Sequence, residues 1–141
     1  MLRVFVYGTL KPGEPYHQSY CGGKVVEAIA AMTPGQLYHL PMGYPAVTTG
    51  TGWVTGVLLS FAQPQVLQRL DQLEGFASDR PSEANEYQRV WRPVFTLEQV
   101  PLGEAWMYVM AAEKARAVGG RHLPDGVWSA ADHADHTDVL M

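Results

Sequence analysis

Two places in this sequence combine residue types and positions that suit chemistry. The first is the turn Tyr7-Gly8-Thr9-Leu10, continuing into Lys11-Pro12-Gly13, directly after an apolar N-terminal run. Gly8 lacks a Cβ and lets a ligand or another backbone approach closely. Successive free N–H groups in such a turn can form an anion-binding nest, suited to a carboxylate or an oxyanion, and Thr9 adds a hydroxyl donor. From composition alone, the same residues also read as a plain strand-to-loop turn.

The second is Glu74. Between Gln63 and Leu73 the apolar residues Val66, Leu67, Leu70 and Leu73 form the stripe of an amphipathic helix. At about 100° per residue, that stripe centres near about 30° from Val66, Glu74 falls near about 80° and Asp71 near about 140°. One carboxylate therefore turns to the apolar side, and Asp71 lies at the margin. Glu74 also falls in the last helical turn, where the negative end of the helix dipole opposes a carboxylate. Partial burial would raise its pKa further, toward the range in which a carboxyl group accepts and returns a proton. The other reading is a frayed helix end with Glu74 in solvent.

Other reactive residues lack supporting context. Cys21 is the single cysteine, so no internal disulfide framework or Cys-rich zinc site can form; with no His–Cys motif around it, it reads as an incidental thiol. Ser60 and Ser129 lack the Gly-x-Ser-x-Gly context of a serine hydrolase. His133 and His136, among Asp132, Asp135 and Asp138, have a spacing that could hold zinc weakly, but the segment is polar and unpatterned and reads as a solvated tail. His17 near the motif loop reads as a surface histidine, with substrate contact as the alternative. His39 and His122 stand alone. Glu83 and Glu86, in the polar interval 78–86, read as solvated. Met42–Val47 reads as ordinary packing, with a pocket wall as its alternative.

The elements that must position these groups come next. Dense turn signals separate short runs rich in Val, Thr and aromatic residues, which favours a β-rich domain. The pattern predicts strands over Leu2–Tyr7 (apolar enough to be covered on both faces), Lys24–Met32, Gln36–Leu40, Trp53–Phe61, Tyr87–Leu97 and Glu104–Met110. Gly56 suggests a bulge or bend, and Pro93 an edge or a bulge. The helix over 63–73 has Pro64 suited to its first position and Gly75 to the left-handed position after its end. A second short helix is expected over Ala111–Val118. The tail from about 119 reads as irregular, with Trp128 as an apolar anchor. The expected architecture is α+β, a small mixed β-barrel with surrounding α-helices, in a single domain over residues 1–141.

Bulk properties narrow the partners. The chain is 47 % hydrophobic and 17 % charged, with 10 basic against 14 acidic residues and a net charge of −4. Nucleic acids and anionic membranes both select clustered basic residues, which this sequence lacks. No apolar run approaches about 18 residues, the N-terminus is unlike a signal peptide, and a lone cysteine suits a reducing compartment. The expectation is a cytoplasmic protein that binds neither nucleic acid nor membrane; no oligomeric state is read from the sequence.

Tyr7-Gly8-Thr9-Leu10 after an N-terminal strand is similar to the opening motif of the gamma-glutamylcyclotransferase-like superfamily. Leu70-Asp71-Gln72-Leu73-Glu74-Gly75-Phe76, followed by Tyr87-Gln88-Arg89, resembles its second motif. The paired resemblance covers roughly residues 2 to 110 and looks closest to the gamma-glutamylamine cyclotransferase-like branch. It implies a small mixed barrel with α-helices around it. It implies intramolecular aminolysis of a γ-glutamyl amide, giving 5-oxoproline and a free amine or amino acid. The catalytic glutamate maps to Glu74, and the substrate-holding loop to Tyr7, Gly8, Thr9 and Leu10, acting mainly through backbone N–H groups. Tyr87 and Arg89 are candidate pocket residues, with Arg89 equally able to pair with an acid. The resemblance implies no metal and no cofactor. The alternative is a non-catalytic module that senses a small carboxylate metabolite on the same fold.

Overall fold

The computed structural model describes residues 1–133. Its elements are β1 (Leu2–Val6), α1 (His17–Cys21), β2 (Val25–His39), β3 (Pro45–Phe61), α2 (Val66–Leu73), β4 (Gln88–Phe95), β5 (Pro101–Val109), α3 (Ala112–Ala117) and β6 (Arg121–His122), with single 3₁₀ turns at Ser82–Ala84 and Ala130–His133. The class is α+β. The sheet order is β3-β1-β5-β4-β2-β6, and β2 also pairs with β3, so five strands curl into a partial barrel. Two of its seams are thin: β1 meets β5 through Val4 and Trp106, and β2 meets β4 through Met32 and Phe95.

The apolar reading of β1 holds, because its residues serve two cores. Phe5 and Tyr7 point into the barrel with Leu37, Leu58, Met107 and Trp128. Val4 and Val6 point outward, where Leu59, Phe61, Val66 and Leu70 form a second core under the helices. The α2 stripe closes this outer core.

The middle of the chain is more continuous than its turn signals suggest. Lys24–Met32 and Gln36–Leu40 are one strand, β2, and β3 begins eight residues before Trp53. Both signals are absorbed as irregularities in one long antiparallel ladder: Gln36 pairs with Thr48 and Pro34 with Trp53, leaving residues 49–52 opposite Gly35 alone. A bulge of this kind bends a strand without ending it. Gly56 instead sits in regular register opposite Ala31. Its glycine serves a close approach, since a Cβ there would lie 2.2 Å from the Val6 carbonyl oxygen. Pro93 lies beside a register shift at Val94/Phe95, on the thin β2–β4 seam.

At the helix, α2 starts at Val66, two residues after Pro64, because residues 63–68 begin as tight i to i+3 turns (Val66 N to Gln63 O, 3.3 Å; Leu67 N to Pro64 O, 3.2 Å). Gly75 takes the left-handed conformation expected, with φ +66°. The segment after α3 follows the sequence reading in part. Most of it is irregular, but Arg121 and His122 add a short strand to β2, and Trp128 is fully buried.

Candidate active site

The Tyr7–Leu10 turn and Glu74 line one cavity of about 220 Å³. Six segments meet there. The end of β1 and its turn form one wall, and Tyr44 and Pro45 at the start of β3 form the second. The end of α2, with Leu73 and Glu74, forms the third. Glu86 and Tyr87 just before β4, Tyr108 of β5, and Tyr16 complete it.

The turn is fixed from behind. The Gly8 carbonyl accepts from Lys11 N at 3.0 Å, and the Thr9 carbonyl accepts from Tyr16 N at 2.9 Å. The Leu10 carbonyl accepts from His17 Nδ1 at 2.8 Å, which requires the proton on Nδ1. Three successive carbonyls are thus committed to internal bonds. His17 belongs to the scaffold of the turn. Gly8 is required by packing, because a Cβ there would come 2.4 Å from Pro45 Cγ. Tyr7 lines the cavity, and its buried hydroxyl donates to the Tyr108 carbonyl at 2.6 Å.

Glu74 is the C-terminal cap of α2 and its N–H bonds Leu70 O at 3.0 Å. Among the described residues its carboxylate has no hydrogen bond or ion pair. Burial, and then the neighbouring Glu86 carboxylate, push it up to about 8. The helix end adds to the same direction. Glu74 therefore titrates close to neutral pH, in a range useful for proton transfer.

Two neighbouring tyrosine hydroxyls, of Tyr87 and Tyr108, are committed to fixed partners. Tyr87 Oη donates to Pro45 O at 2.5 Å, and Tyr108 Oη donates to Asp71 Oδ1 at 2.7 Å. Burial holds the Tyr7, Tyr44, Tyr87 and Tyr108 hydroxyls well above the usual tyrosine range, so all four remain protonated. Asp71, at the margin of the helical stripe, supports Tyr108 rather than lining the cavity.

Several candidate residues resolve differently from the sequence reading. Glu86 does not lie in solvent: it lines the cavity and accepts a hydrogen bond from Tyr44 Oη. Tyr44 and Pro45 are pocket wall rather than ordinary packing, and Tyr87 lines the cavity. Arg89 stays outside. It stacks on Trp106 with 4.6 Å to the ring centroid and lies 3.6 Å from Asp71, an ion contact too long for a hydrogen bond. Glu83 is exposed. Cys21 is buried away from the cavity, and burial pushes its thiol up to about 11, which suits an inert side chain. His133 stacks on His39 at 3.7 Å between centroids; its expected partner His136 lies outside the described residues. No cluster of three His, Cys, Asp or Glu side chains that could hold a metal exists among the described residues.

Comparison with known proteins agrees with this fold. Residues 4–130 match the family model described as gamma-glutamyl cyclotransferase, AIG2-like. The chain belongs to this family. Solved structures with the same fold include an AIG2-like protein of Mus musculus, 29 % identical over 78 % of this chain and 77 % of that one, with a TM-score of 0.58. Another is the protein ytfP of Escherichia coli, 28 % identical over 93 % and 99 % of the two chains, with a TM-score of 0.57. An uncharacterised Pyrococcus horikoshii protein shares the fold at 18 % identity, covering 97 % and 98 %, with a TM-score of 0.62. No curated protein matches the sequence. No described helix is long and apolar enough to cross a membrane.

Proposed function

We propose that the protein is a γ-glutamyl cyclotransferase that converts a γ-glutamyl amide into 5-oxoproline and a free amine or amino acid, in the cytoplasm and without a cofactor. The observation that carries this reading is the unpartnered Glu74 carboxyl, at about 8, sharing a cavity with a turn whose Gly8, Thr9 and Leu10 carbonyls are bonded internally.

The substrate's α-ammonium enters beside Glu74. Glu74 in its ionised form takes a proton from the ammonium as general base. The freed amine attacks the γ-carbonyl carbon of the same molecule. A carbon–nitrogen bond forms, closing a five-membered ring, and the carbonyl electrons move onto oxygen. N–H groups of the Gly8–Leu10 turn serve as donors to the glutamyl part and to that developing charge. The carbonyl then re-forms as the original amide bond breaks: Glu74 gives its proton to the leaving nitrogen, takes the second proton from the ring nitrogen, and passes it on to the released amine. Because the attack is intramolecular, holding the chain bent supplies much of the rate, and the small cavity with its tyrosine walls imposes that bend.

The test is incubation of the protein with a panel of γ-glutamyl peptides and γ-glutamyl amines, measuring 5-oxoproline. Release from at least one class supports the reading. A folded protein that binds 5-oxoproline but releases none from any member would favour a metabolite sensor instead.

A further inference from the structure

We infer that Glu86, held by Tyr44, receives the substrate's ammonium group alongside Glu74 and is a second residue of substrate selection. This rests on the cyclotransferase reading of the cavity.

The placement of Glu86 is built rather than incidental. Its N–H donates to Gly75 O at 3.0 Å, immediately after Glu74. Its Cβ packs where a Cβ on Gly75 would stand only 3.0 Å away. Lys114 of α3 donates to the carbonyls of Asn85 at 2.7 Å and Glu86 at 3.2 Å. Asn85, just before it, clasps Ala77 through both its amide atoms at 3.0 and 3.2 Å. These bonds fix the backbone so that the side chain reaches the cavity, where Tyr44 Oη donates to it.

The charge of the cavity points to a cation. Glu74 and Glu86 are its only charged lining groups among the described residues; no Lys or Arg lines it. Two carboxylates placed together in a partly dry cavity favour a positive guest between them. A γ-glutamyl amide carries its positive charge at the α-nitrogen, the atom that must reach Glu74. Tyr44 uses its proton on Glu86, leaving the remaining carboxylate lone pairs for the ammonium.

Glu86 also acts on Glu74. The titratable groups lining the cavity with Glu74 are the hydroxyls of Tyr7, Tyr16, Tyr44, Tyr87 and Tyr108 and the Glu86 carboxyl. The Asp71–Arg89 pair lies behind Tyr108, and Lys114 meets only the backbone of the 85–86 segment. Glu86 is thus the one charged neighbour that raises the proton affinity of Glu74. An arriving ammonium offsets both carboxylates and lets Glu74 ionise when a proton must be taken.

The experiment measures binding of two ligands, γ-glutamyl ethylamide and the same amide lacking the α-amino group, to Glu74→Gln, which cannot turn them over. Glu74→Gln is expected to prefer the ammonium-bearing ligand by about tenfold or more, the effect of one charged hydrogen bond. Adding Glu86→Gln should abolish that preference and leave binding of the desamino ligand unchanged. Tyr44→Phe, which keeps the carboxylate, should retain the preference. In otherwise wild-type protein, Glu86→Gln should move the acidic limb of the pH–rate profile to lower pH and raise KM, shifts that a structural role alone would not produce. Equal loss of both ligands, survival of the preference in the double variant, or failure of Glu74→Gln to bind either ligand would overturn the inference. Absence of 5-oxoproline release by the wild type would count against the proposed reaction, and the binding comparison would still decide Glu86.

Discussion

The N–H of Glu86 donates to the carbonyl of Gly75 at 3.0 Å, so the chain leaves α2 after Glu74, makes an excursion through residues 76–85 and returns beside its starting point. The two carboxylates of the cavity are therefore locked to each other through backbone, although twelve positions separate them in sequence.

Glu74 binds its proton more tightly in the folded protein, at about 8 against an ordinary 4.5. The folded state thus holds more protons than the unfolded chain between those limits, and stability falls as pH rises through that window. Glu74→Gln removes this loss. The variant should match the wild type in urea unfolding at pH 4 and exceed it by about 2 kcal/mol at pH 9, a figure reduced from the full shift because water reaches the cavity. Equal stability at both pH values would mean that Glu74 is ordinarily solvated.

Gly8→Ala should weaken substrate binding with little loss of fold. Its new methyl group would stand 2.4 Å from Pro45 Cγ, and relief requires the turn and the start of β3 to separate. A cost of about 1–3 kcal/mol is expected, read as a raised KM together with a small drop in the urea midpoint.

Trp128→Ala tests the segment after α3. Trp128 is fully buried inside the barrel beside Tyr7, its Nε1 donates to His39 Nδ1 at 3.0 Å and its carbonyl accepts from Lys11 Nζ at 2.5 Å. Truncation should cost about 3–5 kcal/mol in equilibrium unfolding. Because Lys11 borders the substrate turn, KM should rise as well. A variant of unchanged stability would show that this segment is not part of the core.

Much of this site is legible in the sequence because it is written locally. The 3.6-residue period of Val66, Leu67, Leu70 and Leu73 places Glu74 toward the core, and Gly75 marks the helix end because a left-handed residue is needed there. The turn after β1 follows from an apolar run meeting Gly8. Glu86 and Tyr44 are not legible in this way. They sit in segments without period, and their positions are set by distant partners: Asn85 clasping Ala77, Lys114 reaching from α3, and Tyr44 meeting Glu86 across 42 positions. The continuity of β2 and β3 was hidden for a related reason. Gly35 and residues 49–52 carry turn chemistry, yet the ladder on either side holds both strands together, and that pairing is tertiary information.

The most direct test of the account is 5-oxoproline release from the best member of a γ-glutamyl panel, wild type beside Glu74→Gln at equal folded concentration. Removal of the acid–base group should lower kcat by about 10²–10⁴-fold with KM nearly unchanged. A Glu74→Gln protein that turns over at the wild-type rate would contradict the central role given to this carboxylate.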